Sequence, residues 1–346
     1  MRETLTLPRP DDWHLHLRDG EMLAAVLPYT AAHFGRAVVM PNLKPPVRTG
    51  ADASAYRQRI LDALSGDTDF TPLMTLYLTE QTDPADVVAA HRDGIIAGVK
   101  LYPAGATTNS DAGVKDIANV MHTLSAMAAA GVPLLIHGEV TDPAVDIFDR
   151  EAVFIEQVLI PLRAALPELR VVFEHLTTAE GVAYVLGCRD GRVAATITPH
   201  HLMINRNALF RGGIRPHYYC LPIAKRERHR RALVDAVTSG DARFFLGTDS
   251  APHLDPAKES DCGCAGIFNA PNAVACVAEV FEQADAMEHL AGFISINGPT
   301  FYGLPVSRKT ITLVRRPSPP HPPVMVRGIP LRVFDPEVSL SWSIQP

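Results

Sequence analysis

The chain has 346 residues, enough to bury a large core, and single α/β barrels commonly reach this length. Its 47 % hydrophobic and 20 % charged residues are typical of a globular protein, and a net charge of −6 argues against a nucleic-acid partner. No stretch has the pattern of a signal peptide or a membrane span. Five cysteines, an odd number without a disulfide pattern, indicate free thiols and a cytoplasmic location.

Eight short apolar runs alternate with helical patterns along the chain. The predicted strands end near Leu17, Met40, Leu78, Leu101, Ile136, His175, Pro199 and Thr248. The predicted helices span residues 21–34, 53–64, 84–92, 114–130, 151–166, 179–186, 226–239 and 272–291. Strands that are apolar throughout are typical of a parallel sheet covered on both faces. Eight such units favour an α/β fold of the (β/α)8 TIM-barrel type over a doubly wound open sheet, since no Gly-rich phosphate loop follows the first strand.

The C-terminal part of the chain has a different composition. We expect residues 1–305 to form the barrel and residues 306–346 to form a small peripheral extension packed on it. The stretch 315–323 is too proline-rich for a helix or a central strand, which predicts an exposed loop. The alternating segments 311–314 and 339–344 predict a small ribbon.

Several candidate metal ligands occur where predicted strands end. His14 and His16 are two residues apart, and strand alternation would place both on one face together with Arg18. The other candidates each end a later apolar run: His137, His175 and Asp249. In a barrel these strand ends converge on one mouth, and imidazole and carboxylate groups there suit zinc or a similar metal.

Lys100 lies in an apolar run near the end of the fourth predicted strand. Two interpretations stay open from the residues alone. The side chain either extends its amine to solvent, or it is buried with its charge suppressed, which would leave a nucleophilic neutral amine.

Seven motifs in this order resemble the bacterial single-domain dihydroorotases of the amidohydrolase superfamily. They are DWHLHLRDG at 12–20, MPNL at 40–43, VKLYP at 99–103, HGEVT at 137–141, FEHLT at 173–177, GTDSAPH at 247–253 and CAG at 264–266. The resemblance covers residues 10 to 305 and is weaker in the tail.

The resemblance implies a metal centre with two Zn²⁺ ions. Lys100 would be carboxylated by CO2 at its N6 atom and would bridge the ions. His14, His16 and Asp249 would hold the first ion, and the second ion would be held by His137 and His175. A hydroxide between the metals would be the nucleophile, with Asp249 as general base and then general acid.

The resemblance also implies a reaction, the reversible cyclisation of N-carbamoyl-L-aspartate to L-dihydroorotate in pyrimidine synthesis. Arg18, Asn42 and His253 would hold the substrate carboxylate. Backbone groups near three further residues would contact the pyrimidine ring: Leu221, Ala251 and Ala265. Thr107 and Thr108 would belong to a mobile lid that excludes water. A homodimer is the family expectation.

Alternatives from other classes remain at this stage. A hydantoinase or allantoinase would share the metals, but Arg18, Asn42 and His253 argue for a substrate that bears a carboxylate. A mononuclear deaminase is disfavoured because Lys100 would have no second metal to bridge. A catalytically silent barrel would have lost one or more metal ligands, whereas all six positions are present here. The remaining polar features are expected to be unrelated to catalysis: His200 and His201, the free thiols Cys262 and Cys264, and a basic helix surface over 225–231.

Overall fold

The computed structural model describes residues 3–66 and 68–345. Its strands are β1 (Thr4–Pro8), β2 (Asp12–Leu15), β3 (Arg36–Val39), β4 (Thr71–Tyr77), β5 (Ile96–Leu101), β6 (Leu134–Ile136), β7 (Val171–Phe173), β8 (Val193–Ile197), β9 (Phe244–Leu246), β10 (Thr310–Ser318), β11 (Val324–Val326), β12 (Ile329–Leu331) and β13 (Leu340–Ile344). Its α-helices are α1 (Gly20–His33), α2 (Gly50–Ala63), α3 (Pro84–Arg92), α4 (Met121–Ala130), α5 (Arg150–Phe154), α6 (Ile160–Ala165), α7 (Ala179–Gly187), α8 (Pro199–Met203), α9 (Glu227–Thr238), α10 (Asp255–Lys258), α11 (Ala273–Gln283) and α12 (Asn297–Tyr302).

Strands β2 to β9 form one eight-stranded parallel sheet in sequence order. The sheet closes where the first strand meets the segment after the last one. Leu15 bridges Ser250 in parallel, and the backbone N–H of His16 donates to Ser250 O at 2.9 Å. The predicted (β/α)8 barrel is confirmed, and its closure explains why the short strands β6, β7 and β9 are fully buried.

Side chains alternate along each strand: one set fills the inside of the barrel, and the other set contacts the surrounding helices. Val38, Leu135, Val172 and Phe245 form an inner cluster, whereas their chain neighbours belong to the large outer core. Trp13 joins the inner cluster and stacks on Tyr302 of α12, with ring centroids 4.5 Å apart. This packing fills the barrel below the mouth, and sites in such barrels are built at the C-terminal ends of the strands.

Two predicted helices have different bounds in the structure. The helix expected over 114–130 begins at Met121, because a short 3₁₀ segment, Ile117–Val120, precedes it. The helix expected over 272–291 ends at Gln283, where Asp285 takes a positive φ of 53° that an α-helix does not accept. Among the described residues, no helix is both long and apolar enough to cross a membrane.

The tail forms a β11-β12 hairpin and, together with the N-terminal strand β1, a three-stranded antiparallel sheet of order β1-β10-β13. The expectation that residues 315–323 avoid a central strand was wrong for its first part, since β10 is the middle strand and extends to Ser318. Its pairing with β13 is irregular between Arg315 and Ser318, and this bulge accommodates Pro317, which has no N–H to donate.

Candidate active site

One cavity at the C-terminal mouth of the barrel collects the predicted site residues. Twelve of them line it: His14, His16, Arg18, Asn42, Thr107, Thr108, His137, His175, Leu221, Asp249, Ala251 and Ala265. Lys100 is fully buried, and His253 contacts Arg18 from the side. Tyr102 and Gly266 complete the lining.

Asp249 links the two histidines of the first strand. Its Oδ1 lies 3.3 Å from His14 Nε2 and 3.1 Å from His16 Nε2, and the two Nε2 atoms are 3.4 Å apart. Asp249 follows β9 with a positive φ of 44°, and its N–H donates to His14 O at 2.8 Å. The backbone itself therefore holds this carboxylate against β2.

The alternation argument that placed Arg18 on one strand face with the histidines was wrong. Strand β2 ends at Leu15, its register with β3 shifts between Asp12 and Leu15, and Arg18 has a φ of 59°. Arg18 reaches the cavity because this turn redirects the chain, and Tyr56 Oη fixes the turn by donating to Arg18 O at 2.5 Å.

Lys100 is buried, which excludes the interpretation in which its amine reaches solvent. Its Nζ contacts the carboxylate of Glu174, a fully buried residue at the end of β7. The other oxygen of Glu174 lies 3.0 Å from His14 Nδ1. Glu174 therefore places one carboxylate between the lysine and His14, whose Nε2 faces Asp249 on the other side of the ring.

A second group of side chains surrounds His137 and His175, whose ring centroids are 4.8 Å apart. His137 Nε2 lies 3.0 Å from Glu139 Oε2, while Nδ1 of the buried His175 has no hydrogen-bond partner among residues 3–66 and 68–345. Burial, followed by the charge of Lys100, holds the pKa of His175 well below its usual range. His175 is therefore neutral, the state in which an imidazole ligates a metal.

These residues fit a metal centre. Ligand atoms of His14, His175 and Asp249 lie within 4.8 Å of one another, and the buried His175 Nδ1 is without a protein partner. Burial alone would lower the pKa of His14, but the charges of Glu174 and Asp249 raise it to about 9. The two carboxylates therefore favour a positive charge at this point, and a dication bound by nitrogen and oxygen ligands would supply it.

Arg18 and His253 form a basic corner beside the metal-ligand group. Arg18 Nη2 lies 3.0 Å from His253 Nε2, and burial together with the charge of Arg18 lowers the pKa of His253 to about 2. His253 is therefore neutral and accepts a hydrogen bond from Arg18. Asn42 adds an amide, with its Oδ1 2.8 Å from His16 Nδ1. The corner can bind an anion through the one guanidinium and the neighbouring polar groups.

The segment with the two threonines covers the cavity. Asn42 Nδ2 donates to Thr108 O at 3.0 Å, and Thr108 Oγ1 donates to Ala265 O at 3.2 Å. Thr107 N donates to Ser110 Oγ at 2.9 Å, which shapes the turn. The structure thus describes a closed arrangement in which this segment contacts both sides of the mouth.

Sequence reasoning missed the acidic residues that support the ligands. Glu139 and Glu174 lie within two residues of the predicted ligands His137 and His175, in the same short motifs. An acidic residue next to a histidine at a strand end could therefore have indicated a supporting contact to that ligand. Glu151 had no such signal, because its partners Thr177 and Thr178 are 26 and 27 residues away. The basic surface expected over 225–231 was also wrong at Lys225, which is buried with its Nζ 3.8 Å from Glu139 Oε1.

The pair His200 and His201 lies in a second buried group with Cys220. Both ring nitrogens of His201 already have partners, Thr198 Oγ1 and Pro222 O, each at 2.9 Å. Cys262 and Cys264 are free thiols, as are the three other cysteines.

A parallel eight-stranded barrel with histidines, an aspartate and a lysine at its C-terminal mouth is the architecture of metal-dependent hydrolases. The profile described as "Amidohydrolase family" matches residues 12–308. The chain is 61 % identical to a dihydroorotase of Chelativorans sp. over 99 % of both chains. The solved dihydroorotase of Campylobacter jejuni is 36 % identical, with a TM-score of 0.90 over 100 % of this chain and 98 % of the other. The solved dihydroorotase of Saccharomyces cerevisiae is 31 % identical, with a TM-score of 0.91 over 99 % of both chains. The chain belongs to the amidohydrolase family and, within it, to the dihydroorotases.

Proposed function

We propose that this cavity interconverts N-carbamoyl-L-aspartate and L-dihydroorotate with two zinc ions bridged by carboxylated Lys100. The reaction is that of the dihydroorotases, the family to which the chain belongs. The observation that carries the metal part is the convergence of His14, His175 and Asp249 within 4.8 Å, with Lys100 buried beneath them. The cytoplasmic location and the homodimer stay predictions.

The proposed ligands divide into two sets. His14, His16 and Asp249 would hold one ion, and His137 and His175 the other. Carboxylation would turn the buried Lys100 ammonium into an anion able to bridge both ions. When bound, zinc supplies Lewis acidity that polarises the reacting carbonyl and acidifies water.

Asp249 is the proposed proton carrier. Burial would raise its pKa, but the charge of His14 and hydrogen bonds from His14 and His16 hold that pKa well below its usual range. The carboxylate is therefore ionised and positioned at the cavity wall to accept a proton from the attacking water. In ring opening Asp249 would return that proton to the departing ring nitrogen, and in ring closure the steps reverse.

Arg18, His253 and Asn42 are the proposed contacts of the substrate carboxylate. Because His253 is neutral and accepts from Arg18, its role here is to orient the guanidinium as well as to contact the substrate. Backbone groups at Leu221, Ala251 and Ala265 would contact the ring, while Thr107 and Thr108 would close over it and exclude water.

The experiment measures ring opening of L-dihydroorotate by the zinc-loaded protein and by its Lys100→Ala variant. We expect the variant to lose activity and zinc, and the intact wild-type protein to carry the added mass of CO2 on Lys100. Lys309→Ala is the matched control, because Lys309 is exposed and pairs with Asp69 on the surface. Turnover of hydantoin but not of dihydroorotate would overturn the assignment of dihydroorotate as the substrate. Full zinc content in Lys100→Ala would overturn the bridging role.

A further inference from the structure

A second buried lysine lies outside the metal-ligand group. Lys258 ends the short helix α10, and only 3 % of it is exposed. Its Nζ donates to the carbonyls of Tyr219 at 2.7 Å, Cys264 at 2.7 Å and Gly266 at 2.8 Å. An ammonium has three N–H donors, so these carbonyls use all of them.

The three carbonyls belong to the two segments that form one wall of the cavity. Tyr219 precedes the wall residue Leu221 by two positions, and Cys264 and Gly266 flank Ala265. The segments are also joined directly, since Gly266 N donates to Tyr219 O at 3.1 Å. Gly266 has a φ of 152°, and an added Cβ would lie 2.8 Å from Ala251 O. The wall therefore has little freedom to adjust if one attachment is lost.

The covering segment docks on this same wall. The acceptor for Thr108 Oγ1 is the carbonyl of Ala265, which lies between two of the carbonyls that Lys258 holds. An error in the position of Ala265 would therefore change how the cavity closes. Lys258 itself is absent from the lining of this cavity, so its contacts with the cavity wall are the hydrogen bonds to these backbone carbonyls.

We propose that Lys258 is a positioning residue that fixes Ala265 and Leu221 and thereby sets how firmly the segment bearing Thr108 closes over the substrate. The effect on substrate binding rests on the proposed function, whereas the effect on closure rests on the geometry alone. Lys258 would therefore affect substrate binding and the docking of the segment bearing Thr108 on Ala265, and would leave the metal ligands unaffected.

The test compares Lys258→Met, which keeps side-chain length and removes the three donors, with Arg332→Met. Arg332 anchors the same helix α10, since its backbone N and Nη2 each lie 3.1 Å from a carboxylate oxygen of Asp255. We expect Lys258→Met to raise KM for L-dihydroorotate about tenfold, the scale of one lost hydrogen bond to a charged group, with a smaller fall in kcat. Zinc content should match the wild type. The Arg332→Met variant should keep KM within about twofold.

Two further measurements separate positioning from general loosening. Thr108→Ala should raise KM in the wild-type background and have little effect in Lys258→Met, because the docking that it removes is already lost. Amide hydrogen exchange of residues 103–113 without substrate should accelerate in Lys258→Met and stay unchanged in Arg332→Met, which tests closure whatever the substrate is. Lys258→Gln, which keeps two donors, serves if the methionine variant does not fold.

Three outcomes would overturn the proposal. One is an unchanged KM in Lys258→Met together with unchanged exchange. Another is an equal rise of KM in Arg332→Met, which would assign the effect to helix α10. The third is additive effects of Thr108→Ala and Lys258→Met on KM. A wild-type protein inactive on dihydroorotate would count against the proposed function, and the exchange measurement would still decide the role of Lys258.

Discussion

Substitution of Glu151 by glutamine should destabilise the protein measurably, although the two side chains have the same shape. Glu151 is fully buried and accepts hydrogen bonds from four donors in the turn that follows β7, one of which, Thr177 N, is shared between its two oxygens. Oε2 accepts from Thr177 N at 2.9 Å and Thr177 Oγ1 at 2.5 Å. Oε1 accepts from Thr178 N at 2.8 Å and Thr178 Oγ1 at 2.5 Å. One carboxylate therefore holds the backbone N–H groups of Thr177 and Thr178, which lead into α7.

The magnitude follows from counting the donors that remain without an acceptor. Glutamine keeps one oxygen and turns its amide toward the other threonine, whose hydroxyl can rotate to accept. If the amide replaces Oε1, Thr178 N has no acceptor, and if it replaces Oε2, Thr177 N keeps only its longer contact of 3.2 Å to Oε1. One buried unsatisfied N–H costs about 1–3 kcal/mol, so Glu151→Gln should lower the free energy of unfolding by that amount. Glu151→Ala leaves two such groups and should lower it by about 2–6 kcal/mol.

Urea unfolding followed by tryptophan fluorescence measures this, since Trp13 lies inside the barrel and Trp342 in the tail. The matched control is Glu156→Gln, an exposed position on the π-helical turn Ile155–Leu159 that continues α5. This substitution should change the free energy by less than about 0.5 kcal/mol. An equal urea midpoint for Glu151→Gln and Glu156→Gln would refute the reasoning. So would a midpoint shift that is accompanied by a changed slope, since the slope reports exposed surface.

Three other predictions concern the metal site, the reaction and acid stability. Glu174→Gln should weaken zinc retention about 10–100-fold in chelator competition, because the carboxylate that contacts Lys100 and orients His14 is lost; equal retention would contradict this. Ring closure takes up one proton, so the equilibrium ratio of dihydroorotate to carbamoylaspartate should fall about tenfold for each unit by which the pH rises near neutrality. A ratio that does not depend on pH would contradict this proton uptake. Hydrogen bonds from Arg230 lower the pKa of Glu227 to about 2, below its unfolded value of 4.5. Its stabilisation is therefore present above pH 4.5 and is lost as the pH falls toward 2, so the Tm difference between Glu227→Gln and wild type should shrink over that range.

The barrel was predictable because its strands are apolar on both faces and end in polar residues. Leu134–Ile136, between Pro133 and His137, shows the pattern in its shortest form. The strand Thr4–Pro8 was missed although residues 4–7 alternate between polar and apolar, since the run is short and its partners Thr310 to Val314 are about 300 residues away. Periodicity reports local structure, and pairing at that separation leaves no local trace.

The candidate ligands were predictable from their places at strand ends, whereas their supporting contacts were not. The contact between Lys100 and Glu174 spans 74 residues, and it depends on how the barrel aligns β5 with β7. Lys258 carried no signal in the sequence, because nothing near it in the chain shows that three carbonyls would surround it. Burial of a charge is a property of the folded molecule, so one sequence does not reveal it.

The order of the tail sheet brings the two ends of the chain together. Thr4 and Ile344 pair with Val314 and Leu313 on opposite sides of the middle strand, so they stand two strand spacings apart, about 10 Å. A linker of about four residues would span that distance. A circular permutant that joins Ile344 to Thr4 through such a linker, and opens the chain in a surface loop far from the metal ligands, should therefore keep the fold.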